Sequence, residues 1–400
     1  MAAKRARFAQ ARRMAGYTQE RLAEALGVDS STVRRWESGD SVPLPHVRPK
    51  LVELLDVSSD ELARLLDADA QLVAAGSATL MTVLDRTRLL VDQTLSTGVA
   101  SLTRLNLIEE RVAGHVTTYT STPPVAVLRR VVPDLIEVQS LAAERQPAGV
   151  QARLSEATAV LGLLSADALM KLGEIGRARY WYGTARLAAD DTAKPRLQAQ
   201  VRAQEAMLPY YYGQVERTVV LARAAQALLP RTVCSAVALA AAAEGRALAR
   251  LGDREGAERA IRRAQRMVDE LDEPTTDEAF RFNEKRLLLY LSGTLTYLGD
   301  TKAAHRVQAQ ALEHYSEEPS IAIDPALIRL DQAVGEASRG DAEGACELTA
   351  STLQQLPLEH RTRIVLTRVL DVLAAIPAAQ QQRRAATELR ELVTAQGNPS

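Results

Sequence analysis

The chain has 400 residues, of which 46% are hydrophobic, 25% charged and only 4% aromatic, and its formal net charge is −1. This is the composition of a soluble globular protein of two or three domains. It excludes a membrane-spanning chain, because the longest apolar run, near Val237–Ala243, falls far short of the ~20 residues a span needs. It also excludes a disulfide-stapled one, because the two cysteines, Cys234 and Cys346, form neither a disulfide framework nor a metal-ligand spacing. Abundant alanine with few aromatics points to helices rather than a β-sandwich or barrel. The opening MAAKRARFAQARRMAG is basic but has no apolar h-region, so a cytoplasmic location is expected.

Charge is unevenly placed. Residues 1–50 hold ten Lys/Arg (among them Lys4 and Arg5) against five Asp/Glu, so the remaining 350 residues sum to −6. A basic head on an acidic body suits nucleic-acid binding by the head. Five short helices are predicted over residues 4–66. Arg5–Ala15 ends at Gly16, a C′ glycine. Thr18 N-caps Gln19–Leu26, which closes at Gly27, and Asp29 caps Ser30–Ser38, which closes at Gly39. Pro45 opens a fourth helix that runs to about Leu55. Ser58-Ser-Asp-Glu61 is a capping box for a fifth that ends near Leu66.

Helices two and three are joined by Gly27-Val28-Asp29 alone, the spacing of a helix-turn-helix. In helix three, Val33 and Trp36 face the core. Ser30, Ser31, Arg34 and Arg35 occupy the other side, with the serines at the end where a recognition helix meets base edges. Arg35, one turn after Ser31, suits a bidentate contact to guanine. Arg34 reads a base, holds a phosphate or pairs with a local acid. Ser30 and Thr32 have a second reading, as partners of the helix N-terminus. The stretch Gly16-Tyr-Thr-Gln-Glu-Arg-Leu-Ala-Glu-Ala-Leu-Gly-Val-Asp-Ser-Ser-Thr-Val-Arg-Arg-Trp-Glu-Ser-Gly39, with T-Q-x-x-L-A, G-V and W-E-x-G in register, resembles the lambda-repressor/Cro-like (XRE) family of bacterial regulators. The resemblance implies a phosphate contact from Gln19 at the start of helix two. It adds Thr32 and Ser41 as phosphate candidates, and a structural salt bridge between Arg12 and Glu37.

Residues 67–150 read as a helical connector. Asp67–Ala78 is a linker, and Leu80–Leu95, Asn106–Tyr119 and Val125–Ala143 are helices, the last two flanking a break at Ser121-Thr-Pro-Pro124. The stretch Tyr119-Thr-Ser-Thr-Pro-Pro124 resembles a segment that precedes helical-repeat bodies in actinobacterial regulators of this type. Alanine, arginine and leucine richness fits a high-GC actinobacterial host.

Residues 151–400 carry a repeat. Gly173, Gly213, Gly252, Gly299 and Gly340 recur at spacings of 40, 39, 47 and 41 residues. Seven residues before each sits a small residue (Ala166, Ala206, Gly245, Ser292, Ala333). Five after come Ala178, Thr218, Ala257, Ala304 and Ala345, and twelve after come Ala185, Ala225, Ala264, Ala311 and Thr352. Short side chains at fixed positions let paired helices approach closely. The pattern resembles the tetratricopeptide repeat: five repeats, then an atypical closing pair over 359–376 and 378–395. Pro209 should shorten or kink the first helix of its repeat. The stack implies an extended concave face, with inward candidates Met170, Gln200, Tyr210, Arg246, Arg286, Gly293 and Thr296, and with Asn283 and Tyr290 nearby. Tyr210, Arg246, Asn283, Arg286 and Tyr290 are the candidate ligand-binding residues. Packing is the alternative for each of them. Peptide-sensing regulators of this architecture use asparagine clamps. This chain has only Asn106, Asn283 and Asn398, so a peptide and a small molecule both stay open as effectors.

No Walker loop, HExxH, GxSxG or CxxC pair is present, so neither enzymatic activity nor a cofactor or metal is expected. The expectation is an all-α regulator. A five-helix head (1–66) binds a double-stranded DNA operator, a connector follows (67–150), and a tetratricopeptide-like solenoid (151–400) forms a homodimer and senses a signal. Its layout resembles the peptide-responsive, quorum-sensing regulators of Gram-positive bacteria. A constitutive repressor whose repeats only dimerise, or an adaptor whose repeats recruit a protein, are the alternatives.

Overall fold

The computed structural model describes residues 6–44, 46–66, 83–92, 101–271, 278–318 and 320–397, and every regular element among them is a helix. Lys4, Arg5, Pro45, Asn398 and the predicted linker Asp67–Ala78 lie outside the described residues. Two compact units divide the chain, Met1–Thr97 and Gly98–Ser400.

The first unit contains α1 (Ala6–Met14), α2 (Gln19–Leu26), α3 (Ser30–Ser38), α4 (Arg48–Leu55), α5 (Ser59–Leu66) and α6 (83–92). The predicted punctuation acts where it was expected. Gly16, Gly27 and Gly39 all adopt positive φ, the left-handed conformation that ends a helix and disfavours a Cβ. Ser58 accepts the Glu61 amide at 3.1 Å to start α5. The fourth helix differs, starting at Arg48 with Pro49 in its first turn. Either proline supplies the fixed φ that a first turn favours, and the sequence pattern does not choose between them. Phe8, Leu22, Val33, Trp36, Leu51, Leu55 and Leu62 build one small apolar core.

The second unit is a succession of antiparallel helices. The pair α7 (Leu102–Thr118) and α8 (Pro124–Ala142), read from sequence as connector, packs on the first helix of the repeats, α9 (Ala148–Leu172). Buried Asp134 and Glu137 on α8 receive Arg111, Arg104 and His115 from α7. Six inner helices follow, each with an outer partner. The inner set is α9, the broken pair α11 (Pro195–Glu205) and α12 (Met207–Tyr212), α14 (Ser235–Arg250), α16 (Glu284–Leu298), α18 (Ile323–Ser338) and α20 (Arg363–Ala375). The outer set is α10 (Ile175–Asp191), α13 (Val215–Ala227), α15 (Arg254–Glu270), α17 (Thr301–Ser316), α19 (Ala342–Gln355) and α21 (Arg384–Gly397).

All fifteen small residues of the repeat register are buried. At Gly245 a Cβ would lie 2.7 Å from Ile261 on the paired helix, which shows how close the approach is. Pro209 breaks its helix at Ala206, next to Glu205, whose carbonyl its ring would strike and its missing N–H would leave unbonded.

The inner helices close a cycle. Each packs on the next, and α20 returns against α9 and α12. Contact with Arg363 of α20 occurs at Gly173, where a Cβ would collide with its side chain. Among the described residues the expected open, extended concave face is not present: side chains occupy the space inside the cycle, around one central cavity. The atypical last pair covers the end of the stack, as a terminal repeat must, and its inner helix also closes the cycle.

Candidate functional site

The head assembles its presenting surface from the turn outward. Thr18 Oγ1 accepts the Arg21 amide at 3.2 Å and Asp29 Oδ1 accepts the Ser31 amide at 2.8 Å, so both helices start on side-chain caps. Val33 and Trp36 of α3 are buried against Leu22, Ala23 and Leu26 of α2. Spacing of three and four residues then turns Ser31, Arg34 and Arg35 to solvent together. Ser30 and Thr32 are half-buried at the N-terminal end of α3, and Ser41 is half-buried beyond its C-terminus, its amide bonded to the Arg35 carbonyl at 3.2 Å.

Glu37 is the inner fastening of this surface. It accepts from Arg12 Nε at 2.6 Å, and Arg12 also holds the Tyr17 carbonyl at 2.6 Å. This is the structural pair that the resemblance implied. Gln19 was read from that resemblance as a phosphate contact. In the structure its amide donates to the second oxygen of Glu37, tying the start of α2 to α3. That bond uses one of the two N–H groups of a primary amide. Arg34 forms no ion pair among the described residues; the Glu20 carboxyl is held below its ordinary range chiefly by its own backbone amide and the Thr18 hydroxyl, and Arg34 adds a smaller pull on Glu20 and Asp29 alike. The Ser31 hydroxyl and amide are the larger influence on Asp29.

The Asp29 shift has a definite sign. A carboxyl whose folded pKa lies below its unfolded one stabilises the fold fully above the unfolded value, and that stabilisation disappears as pH falls through the folded value. The start of α3 is therefore expected to loosen in acid below the ordinary aspartate range, and Asp29→Asn should remove that dependence while keeping a cap. Trp36 emission against pH, in a Trp181→Phe background, checks this. Identical acid profiles for both proteins would contradict it.

The candidate ligand residues separate into three groups. Arg246, Arg286 and Tyr290 line a cavity of about 70 Å³ at the centre of the second unit, bounded by side chains from all six inner helix positions. Tyr210 packs under Arg246, ring centroid to guanidinium 4.4 Å, with its own hydroxyl unbonded. Asn283 instead N-caps α16, accepting the Arg286 amide at 3.0 Å, and borders a separate groove.

Sequence reasoning missed the charged network beside this cavity. Arg368 and Asp331, both fully buried, pair with each other. Arg368 also meets Asp371 at 2.5 Å and the Tyr297 hydroxyl at 2.8 Å, and Arg250 reaches Asp371 at 3.2 Å. Asp331 receives the Ser292 hydroxyl at 2.9 Å. Gly293 is what lets Arg246 lie here, since a Cβ at that position would sit 2.7 Å from Arg246 Nε. A glycine or serine at the small position of one inner helix gave no signal that an arginine and an aspartate would converge on it from two others.

The helix-turn-helix family model (HTH_3) matches residues 8–62. The uncharacterized HTH-type transcriptional regulator YazB of Bacillus subtilis is 38% identical over 52 residues, which is 13% of this chain and 75% of that protein. A crystal structure of Bacillus thuringiensis PlcR in complex with the peptide PapR7 and DNA aligns with 67% of this chain and 95% of that one, at a TM-score of 0.33 and 16% identity. No described helix is long and apolar enough to cross a membrane. With its capped α2, three-residue turn, buried Val33 and Trp36 and a solvent-facing α3, the chain belongs through its N-terminal unit to the XRE-like helix-turn-helix family of transcriptional regulators.

Proposed function

We propose that this protein is a cytoplasmic, sequence-specific DNA-binding regulator rather than an enzyme, and that its second unit forms a homodimer and senses a signal. The observation that carries the reading is the shared solvent face of Ser31, Arg34 and Arg35 on a helix anchored by Val33 and Trp36. Such a helix enters the major groove of double-stranded DNA with its N-terminal residues at the base edges. Ser30 and Ser31 approach bases, Arg35 takes guanine through its planar fork, and Arg34 takes a base or phosphate. Gln19, Thr32 and Ser41 hold the backbone, Gln19 through the amide N–H not given to Glu37. Residues 1–66 are the DNA-binding head and 67–150 join it to the repeats. Dimerisation is supported by exposed apolar residues on the first helix pair: Val125, Val132 and Ile136 recur at helical spacing on α8, and Leu107 is exposed on α7.

The test is selection of bound sequences from a random duplex library, followed by titration of variants. Arg35→Ala is expected to lose about 1–3 kcal/mol on the selected site and to relax preference at one base position. Gln19→Ala should weaken selected and random DNA alike. Equal loss on both DNAs for Arg35→Ala would refute its role as a base reader.

A further inference from the structure

The central cavity of the second unit collects more positive than negative charge. Lys171, Arg246 and Arg286 line it, against Asp167 and Asp324. The two carboxylates have partners: Asp167 receives the Tyr119 hydroxyl and pairs with Lys171 at 3.1 Å, and Asp324 receives the Tyr315 hydroxyl at 3.1 Å. Arg246 is different. It is 1% exposed, makes no ion pair among the described residues, and spends one nitrogen on the Tyr211 hydroxyl at 3.1 Å. Its Nε and Nη2 meet no acceptor. Asp331 borders the same notch at Gly293, but it is already engaged by Arg368 and Ser292. The surrounding tyrosine rings offset part of the desolvation of Arg246, but they give it no counter-charge. The rings and the neighbouring Asp331 carboxylate favour its charge against burial, so what Arg246 lacks is acceptors for these two nitrogens.

We propose that the cavity is a binding site for a small organic carboxylate, held by Arg246 with Arg286 and with its apolar body against Met207, Leu289, Leu327 and Ile364. The inference rests on the reading of this unit as a signal sensor and specifies the signal's chemistry. Carboxylate matches a guanidinium through paired, charge-assisted hydrogen bonds. The volume, about 70 Å³, admits a molecule of a few heavy atoms and excludes a peptide several residues long. Half-buried Lys171, Arg286 and Asp324 are the most solvent-accessible parts of the lining, so entry is past them. Because the lining comes from every inner helix position, an occupant lies between the two ends of the closed cycle, α9 and α20.

The full chain, without DNA, is titrated with the straight-chain carboxylates acetate to hexanoate and with the matching primary alcohols, at fixed ionic strength, by calorimetry and thermal shift. The expected result is saturable binding and a rise in unfolding temperature for one or two members of the acid series, with no rise for their alcohols. Arg246→Met should fold, because it keeps the length of the side chain and removes two buried N–H groups that have no acceptor, and should bind about tenfold to a hundredfold more weakly. Should that variant fail to fold, Arg286→Gln at the mouth gives the same readout, and Leu327→Phe, which fills the cavity without changing charge, should abolish the shift. No response to any acid, an equal response to the alcohols, or undiminished binding by the folded variants would overturn the proposal. Since DNA is absent from the assay, a failure here is distinct from a failure of operator binding.

Discussion

Asp331→Ala is expected to destabilise the second unit by about 3–5 kcal/mol, because it takes from a fully buried arginine its one fully buried carboxylate partner. Arg368 has no exposure to solvent, and its remaining carboxylate partner, Asp371, is shared with Arg250. Its Nε already lacks an acceptor, so losing Asp331 uncovers more of a charge that water does not reach. The Ser292 hydroxyl loses its acceptor in the same substitution. Taking out both charges should do much less harm than taking out one. Desolvation of an ion pair roughly offsets its attraction, so Asp331→Leu with Arg368→Met should unfold within about 1–2 kcal/mol of the parent if the pair of side chains fills the space. Calorimetry of the full chain, with the transition of the second unit resolved, measures both. A single variant as stable as the parent would remove the network from any account of how this unit holds together.

Trp36→Ala is the second large effect. The indole is 3% exposed and sits in a core of about a dozen side chains, so its truncation is expected to cost about 3–5 kcal/mol. Small domains have only about 5–15 kcal/mol in total, and a head of this size lies toward the low end. Much of the head should then be unfolded, and duplex binding should fall with it, while the transition of the second unit stays in place. Trp36→Phe, which keeps most of the apolar volume, should be far milder. The contrast with Arg35→Ala separates the two faces of α3: one variant loses the fold, the other loses base preference from an intact fold. Full DNA affinity in Trp36→Ala would show that α3 is not positioned by this core.

The head was the most legible part of the sequence because its signals are local. Thr18, Asp29, Gly27 and Gly39 each act within four residues of where they stand, and the three-residue turn leaves two helices little choice of angle. The different start of the fourth helix and the Glu37 partner of Gln19 are local ambiguities of another kind. Pro45 and Pro49 lie four residues apart and supply the same fixed φ. Gln19 has two partners within reach, a phosphate in the resemblance and Glu37 in the fold, and helical spacing does not rank a carboxylate eighteen residues away.

In the repeats, the helix pairs, their small-residue contacts and the break at Pro209 were all present in the one-dimensional pattern, since each depends on neighbours within one period. Closure was not. Whether the sixth inner helix meets the first depends on the rotation accumulated over all the pairs, and small differences in loop length and side-chain volume at every step add up to it. Nor does any window of sequence reveal that Arg246, Arg368, Asp331 and Asp371, drawn from helices up to 125 positions apart, share one interior. Composition and periodicity dictated helices, their ends and their pairing, because those rest on contacts short in sequence. The closed cycle, the charges buried in it and the space left beside Arg246 arose from packing across the whole unit, where long-range geometry sets which side chains meet.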